Sequence, residues 1–340
     1  MTQTDLEKAR TLVEMAKGAE QRGQADKALA YFDDAIGILE RQMDVPFLAD
    51  VLRWKGTLYR EQGETEAAHR CYQQSLMHAE RVGAVSAKAH GFNCMGIIAQ
   101  RRGDLRDCEA HYALAAEFAS KAGDTRLLGM IEQNRGVLMN VRGNFAGAEA
   151  RYSSSLTAFE AANDQQAVSW VLNNMGMLYS KLGHYQRAVE TLERGREIAK
   201  SRNDTLVDSI LTLNLAEVWT ATGKLDLADD ACKSALDEAR RRNDHLTIAG
   251  ALKCRARIER ERGAFNDSIA TLRIALFEAE GLEDRLLQAE MLREFGQTSH
   301  ALGHSAEARL AWLDAAESFQ GVGALHEAAE IDLLLASLPS

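Results

Sequence analysis

Glycine recurs along this chain with a fixed period of 40 residues, and this period constrains the fold more than any other feature of the sequence. The glycines that obey it stand at positions 23, 63, 103, 143, 183, 223, 263 and 303. A small residue stands seven positions before each of them, as Gly176 does before Gly183, and a bulky or apolar residue such as Leu192 stands nine positions after. Self-similarity at such a period is typical of repeat architectures. We therefore expect a stack of eight similar units.

The junctions between the repeats carry signals that end one helix and begin the next. Aspartate occupies the same position of the period in six repeats, as Asp44, Asp124, Asp164, Asp204, Asp244 and Asp284. Glycine or asparagine usually precedes it. These two residues tolerate the left-handed conformation that ends a helix, and aspartate is a preferred N-cap. Each repeat is therefore predicted to be a helix pair, with an A helix before the periodic glycine and a B helix after it. In the fifth repeat the predicted helices are 164–182 and 185–202.

These signals predict an all-α fold, an α-solenoid of eight helix-turn-helix repeats with a C-terminal capping helix. The repeats form a single domain over residues 4–323, and the capping helix covers 324–338. Its apolar residues Ile331, Leu334 and Leu335 suit a helix that covers the apolar face of the last repeat, as the ends of a solenoid require. Only two prolines interrupt the chain, which favours a helical fold.

The spacing within each repeat resembles the tetratricopeptide repeat. The pattern is a small residue and an aromatic three positions later, then glycine, then alanine followed by a bulky residue. It is clearest in LNNMGMLYSKLGHYQRAVETLERG, residues 172–195. The period is longer than the usual one of about 34 residues, and the usual proline is missing. In this respect the chain is similar to repeats of kinesin light chains, of cell-polarity adaptors that bind G-protein regulators, and of bacterial regulator sensor domains.

The resemblance implies a right-handed superhelix in which the A helices line a concave groove. Six positions of each A helix would then face a partner, and the central repeats carry the most informative residues. The candidate partner-binding residues are Arg101, Gln133, Asn134, Val137, Trp170, Asn173, Asn174, Met177, Lys181 and Asn214. Three consecutive repeats have asparagine at one position, and carboxamides both donate and accept hydrogen bonds, so this row suits a peptide backbone. The groove positions of repeats 3 to 5 include no acidic residue, which favours an extended or helical peptide with some acidic character.

Each of these residues also has a purely structural interpretation. The asparagines of neighbouring A helices could bond to one another, Trp170 could pack against the next repeat, and Met177 could belong to the core. The His90 and Cys94 side chains lie one helical turn apart and are metal-ligand types, but two further ligands are missing from the pattern. No catalytic residue, metal site or cofactor site is predicted.

The sequence predicts a non-enzymatic cytoplasmic scaffold or adaptor that binds a protein or peptide partner in the groove. The net charge of −10 disfavours nucleic acids and anionic membranes as partners. No stretch suits a signal peptide or membrane insertion. A sensor module for a small ligand or signalling peptide is the alternative. A third possibility is self-assembly, in which the apolar tail docks in a neighbouring copy, so the oligomeric state is left open.

Overall fold

The computed structural model describes residues 3–41, 46–282 and 284–338, and these residues form helices and short turns with no strand. The helices are α1 (Gln3–Gln21), α2 (Ala25–Glu40), α3 (Pro46–Glu61), α4 (Thr65–Arg81), α5 (Val85–Arg101), α6 (Leu105–Ala122), α7 (Thr125–Val141), α8 (Phe145–Ala161), α9 (Gln165–Lys181), α10 (Tyr185–Ser201), α11 (Thr205–Ala221), α12 (Leu225–Arg241), α13 (His245–Glu261), α14 (Phe265–Glu278), α15 (Arg285–Ala301), α16 (Ser305–Gly321) and α17 (Leu325–Ala336). The all-α fold class is confirmed.

The chain divides into two compact units, Met1–Asn134 and Arg135–Ser340, and the division falls within α7. In the first unit α1 packs on α2, α3 on α4 and α5 on α6. In the second unit α9 packs on α10, α11 on α12, α13 on α14 and α15 on α16, and α17 packs against α16. Consecutive pairs also contact one another within each unit, which is the packing of an α-solenoid. That residues 4–323 form one domain stays a prediction.

The predicted stop and start signals act at the repeat junctions. The Asp124 carboxylate accepts a hydrogen bond from the Leu127 backbone N–H at 2.8 Å, and Asp164, Asp204, Asp244 and Asp284 cap their helices in the same way. Asn163, Asn203 and Asn243 have φ of 57°, 55° and 52°, the left-handed conformation expected of them. Asp44 lies outside the described residues. The fifth repeat is built of α9 and α10, whose bounds fall within one residue of the predicted ones.

In five of the helix pairs, a large side chain of the B helix rests directly on a glycine of the A helix. Tyr152 of α8 is 1% exposed, and a Cβ atom placed on Gly136 would lie 2.5 Å from its ring. The same contact joins Gly56 to Tyr72, Gly96 to Tyr112, Gly176 to Leu192 and Gly296 to Trp312. Even an added methyl group would overlap the ring or branched chain. The small residue of the period is therefore a requirement of close packing between the two helices.

We expect the substitution Gly136→Ala to destabilise the protein, although alanine is the better helix former. The added Cβ must displace Tyr152, and overpacking of this kind costs about 1–3 kcal/mol. Gly37 in α2 is the matched control because no atom lies within 4 Å of the corresponding Cβ position. Gly37→Ala should instead stabilise by about 0.5–1 kcal/mol. Urea unfolding followed by helical circular dichroism measures both changes, and a stabilising Gly136→Ala would contradict the packing argument.

Candidate partner-binding surface

Two predicted asparagines bond to the preceding A helix in the repeat stack. In the first unit the Asn134 side-chain amide donates to Asn93 Oδ1 at 3.0 Å, and Asn93 is buried. In the second unit the Asn214 amide donates to Asn173 Oδ1 at 2.6 Å. Each bond links equivalent positions, since 134 and 214 follow 93 and 173 by the same 41 residues. These amides therefore tie neighbouring A helices together, the structural role that the sequence left open for them.

Hydrogen-bonding capacity remains on this surface after those bonds are made. A carboxamide offers two N–H donors and an oxygen with two lone pairs, and one bond uses only part of that set. Asn174 is half-buried on α9, and its side chain bonds to no other group among the described residues. We call Asn173, Asn174 and Asn214 the amide row. It crosses the adjacent helices α9 and α11 of the second unit.

The remaining predicted residues fall on the A helices of the two units. Gln133 of the first unit and Val137, Trp170 and Met177 of the second are half-buried. Arg101 of the first unit donates through its guanidinium to the carbonyl oxygen of Arg60 at 3.1 Å, so it also links two repeats. Lys181 ends α9 and pairs with Glu327 of α17. The second unit thus contains the amide row, Trp170 and Met177 on one pair of neighbouring A helices.

Buried ion pairs connect the A helices beyond the amide row. The Lys253 ammonium of α13 lies 3.1 Å from a Glu217 carboxylate oxygen of α11 and 2.5 Å from one of Glu290 in α15. Burial opposes the charge on Lys253, but the two carboxylates outweigh it and raise the pKa of the ammonium. Burial likewise opposes ionisation of Glu290, and Lys253, Arg293 and Lys181 outweigh it and lower the pKa of that carboxyl. Most charges of these helices are therefore compensated within the protein.

Arg257 differs from the other cations of this region. It lies one turn beyond Lys253 on α13 and is half-buried, and its Nε atom is buried without a hydrogen-bond partner, as the Nε atom of Arg260 also is. In the described part of the chain no carboxylate lies within ion-pair distance of it, whereas Arg260 pairs with Glu294 at 3.1 Å. An unpaired guanidinium on a half-buried surface is suited to bind a carboxylate in bidentate geometry. The sequence carries no signal that distinguishes Arg257, since its spacing is the same as that of the paired cations.

The His90 and Cys94 pair lies in α5 of the first unit, and its surroundings explain both side chains without a ligand. Cys94 is buried, and burial raises the pKa of its thiol. Burial, aided by the nearby Arg53, lowers the pKa of His90 to about 4. The described residues contain no group of three or more His, Cys, Asp or Glu side chains arranged to hold a metal ion.

The tetratricopeptide repeat family model matches residues 7–81 and 127–201 of this chain. The repeat type predicted from the spacing is therefore confirmed, and these stretches are tetratricopeptide repeats. No match was found among curated protein sequences. None of the helices over the described residues has the length and apolar character needed to span a membrane.

Solved structures share the fold at low sequence identity. A Rap protein complexed with competence and sporulation factor is 15% identical, with a TM-score of 0.66, and the match covers 97% of this chain and 99% of that one. NprR in complex with its cognate peptide NprX is 12% identical, with a TM-score of 0.61 and coverages of 83% and 82%. A signal transduction ATPase with a tetratricopeptide repeat sensor, from Pyrococcus horikoshii, is 18% identical, with a TM-score of 0.60. The match covers 81% of this chain but only 42% of that ATPase.

The two kinds of asparagine should differ in their effect on stability. Asn214→Ala leaves Asn173 Oδ1 without its donor, which we expect to lower the free energy of unfolding by about 1–2 kcal/mol. Asn174→Ala removes no bond within the protein, so it should change that free energy by less than about 0.5 kcal/mol. Urea unfolding of both variants provides the comparison. Equal destabilisation would show that Asn174 also serves the fold.

The buried imidazole of His90 should make the protein less stable at acidic pH. The unfolded chain binds this proton below pH 6.5, the ordinary value, whereas the folded chain binds it only below about pH 4. Stability is therefore lost as the pH falls through that window, by up to about 3 kcal/mol. In His90→Gln the difference in unfolding free energy between pH 7 and pH 4.5 should be smaller than in the wild type. An unchanged pH dependence would contradict the assignment.

Proposed function

We propose that the protein is a non-enzymatic scaffold or adaptor that binds a peptide segment of a partner on the A helices of its second unit. The observation that carries this proposal is Asn174, a half-buried carboxamide with no hydrogen bond to any described group, within a row of amides. Because this amide makes no bond within the described part of the protein, its donor and acceptor groups are available to a ligand. The Rap and NprR structures, which contain a bound factor and a bound peptide, support the choice of a peptide.

The amide row suits recognition of a peptide backbone. Neighbouring helices lie about 8–10 Å apart, and an extended peptide advances about 3.3 Å per residue. An amide from each A helix would therefore meet roughly every third peptide residue and bond to its backbone groups, whatever side chains the peptide has. This spacing supports a scaffold that recognises mainly the backbone of its peptide.

Selectivity would come from the residues around the row. Trp170 and Met177 lie on α9 beside the amides and provide half-buried apolar surface for a peptide side chain. Arg257 on α13 provides an uncompensated cation for a carboxylate. Together they favour a peptide with an apolar side chain and an acidic group, in agreement with the acidic character inferred from the sequence.

A sensor module is the second candidate, and one observation favours it. The chain is similar to the Pyrococcus ATPase that has a tetratricopeptide repeat sensor, although it spans only 42% of that protein. A sensor would use the same amide row but would respond to a signalling peptide or small ligand with a change in helix packing. The two candidates share the binding surface and differ in whether binding alters the structure.

The experiment is selection of binders from a display library of random short peptides with the full chain, followed by titration of the selected peptides. We expect Asn174→Ala to weaken binding about fivefold or more, which is the effect of one lost hydrogen bond. Arg257→Ala should weaken binding of the acidic peptides alone. Asn266→Ala and Arg273→Ala are the matched controls, since both residues are exposed on the B helix α14.

Selected peptides whose affinity is the same for the wild type and for both A-helix variants would overturn the proposal. Hydrogen exchange with and without a selected peptide separates the two candidates. A scaffold should be protected only near the peptide, whereas a sensor should also change in helices that do not touch it.

A further inference from the structure

The C-terminal helix α17 has two different contact surfaces. Along one side Ala328 and Ile331 are buried and pack into a cluster with Trp312 and Phe319 of α16. This side covers the last repeat, which is the capping role expected of a terminal helix in a solenoid. A second, polar side carries His326, Glu327 and Glu330, none of which that role requires, and Glu327 borders the apolar side because it is buried beside Ala328, one turn before Ile331.

This second side reaches α8 and α9, far back in the sequence but within the same unit. Glu327 forms an ion pair with Lys181, and 146 residues separate the two. The His326 ring meets the edge of Phe145 with centroids 5.4 Å apart and planes at 86°. Val141 packs against the cluster that α17 shares with α16. We call the Lys181–Glu327 and Phe145–His326 pairs the α17 contact.

The charged groups of the α17 contact are paired, but the Glu327 carboxylate lacks one of its hydrogen-bond partners. The Lys181 ammonium also lies 4.9 Å from the Phe145 ring centroid, so aromatic and carboxylate groups share it. The Glu327 side chain is only 12% exposed, and its Oε2 atom is buried with no hydrogen-bond partner. A buried oxygen without a donor costs free energy, so this carboxylate is poorly compensated for its loss of water.

A second acidic residue of α17 faces the A helices in the same way. Glu330 lies 3.8 Å from the guanidinium of Arg293 on α15. Arg293 and Lys181 both act on Glu290, whose pKa they help to lower, so the two cations belong to one charged region of the second unit. The side of α17 that faces this region is therefore an acidic helical segment, with carboxylates three positions apart, set against two cations.

We propose that α17 is a built-in occupant of the peptide-binding surface, and that an acidic partner segment displaces it from Lys181. This inference rests on the proposed function, since it names the partner and the regulation of that surface. A partner with a carboxylate at the place of Glu327 and a donor for its second oxygen would satisfy Lys181 better than Glu327 does. Because Glu327 is buried beside Ala328 and one turn before Ile331, the exchange lifts this part of α17 from α16, and the partner segment takes its place there.

The first test needs no ligand and follows amide hydrogen exchange in the first turns of α17. In the full chain, Glu327→Gln weakens the pair with Lys181, so exchange there should increase about tenfold. Lys181→Gln should have the same effect from the other side of the pair. Asp332→Asn is the matched control, because Asp332 is an exposed acidic residue of the same helix. Unchanged exchange in the Glu327→Gln and Lys181→Gln chains would overturn the proposal.

The second test asks whether an external acidic helix takes the same place. The probe is a labelled synthetic peptide of residues 324–338, titrated into the wild-type chain and into the Glu327→Gln chain. The peptide should bind the variant at least about tenfold more tightly, because Lys181 is then released from its internal carboxylate. A peptide carrying Glu327→Gln and Glu330→Gln should lose this preference. Equal binding of the unmodified peptide to both chains would overturn the proposal.

The outcomes separate this inference from the proposed function. If Asn174→Ala and Arg257→Ala leave the affinity for the selected peptides unchanged, the peptide-binding surface is rejected. The hydrogen-exchange experiment on α17 does not depend on that result. Faster exchange with no preference of the 324–338 peptide rejects the idea that α17 and a partner compete for Lys181. Faster exchange together with that preference supports the inference.

Discussion

The close contact between a B-helix side chain and a glycine or alanine of the A helix is the constraint on which the rest of the structure depends. At Gly136 and Tyr152 the two helices approach so closely that no Cβ fits between them. Where alanine replaces the glycine, the opposing residue varies: Ala216 shares a buried cluster with the small Cys232, whereas Ala16 shares one with Phe32 and Ala256 with Leu272. The A helix therefore always contributes glycine or alanine, although the opposing residue changes. This sets the spacing of each pair and so fixes which residues of the A helices remain half-buried.

The polar residues of the A helices hold neighbouring repeats together, in addition to any role in ligand binding. The bond from Asn214 to Asn173 and the ion pairs of Lys253 with Glu217 and Glu290 each join different repeats. Such groups are partly withdrawn from water and must therefore be paired. Asn174 and Arg257 stand out against this background, because nothing described in the protein pairs with their side chains. These two side chains are therefore the best candidates for contacts with a partner.

The α17 helix shows how one short element can serve both stability and access to a surface. Its apolar side covers the last repeat of the solenoid, and its acidic side contacts Lys181 through side chains alone. Glu327 is buried beside the apolar residues Ala328 and Ile331, so the two contacts form and separate together. The same helix therefore covers the last repeat and, until a partner segment replaces it, the Lys181 side chain.

The sequence by itself determined the repeat, the helix pairs and their ends. It could do so because capping, the left-handed φ of Asn163 and the pairing of Gly136 with Tyr152 are contacts between residues close in the chain. The predicted bounds of α9 and α10 are correct within one residue for that reason. The ten candidate residues were placed on the A helices by their position in the period, which left open bonds between neighbouring asparagines but gave no indication of the partners of Arg101 and Lys181.

Only the tertiary structure decided which of those residues are already engaged. Whether Lys253 is paired while Arg257 is not depends on side chains that neighbouring repeats contribute, and both residues look alike in the sequence. The pair of Lys181 with Glu327 joins positions 146 residues apart, and no local pattern signals it. Such contacts depend on how successive helix pairs stack on one another. Small packing differences in each repeat add up along the stack and decide which distant residues meet.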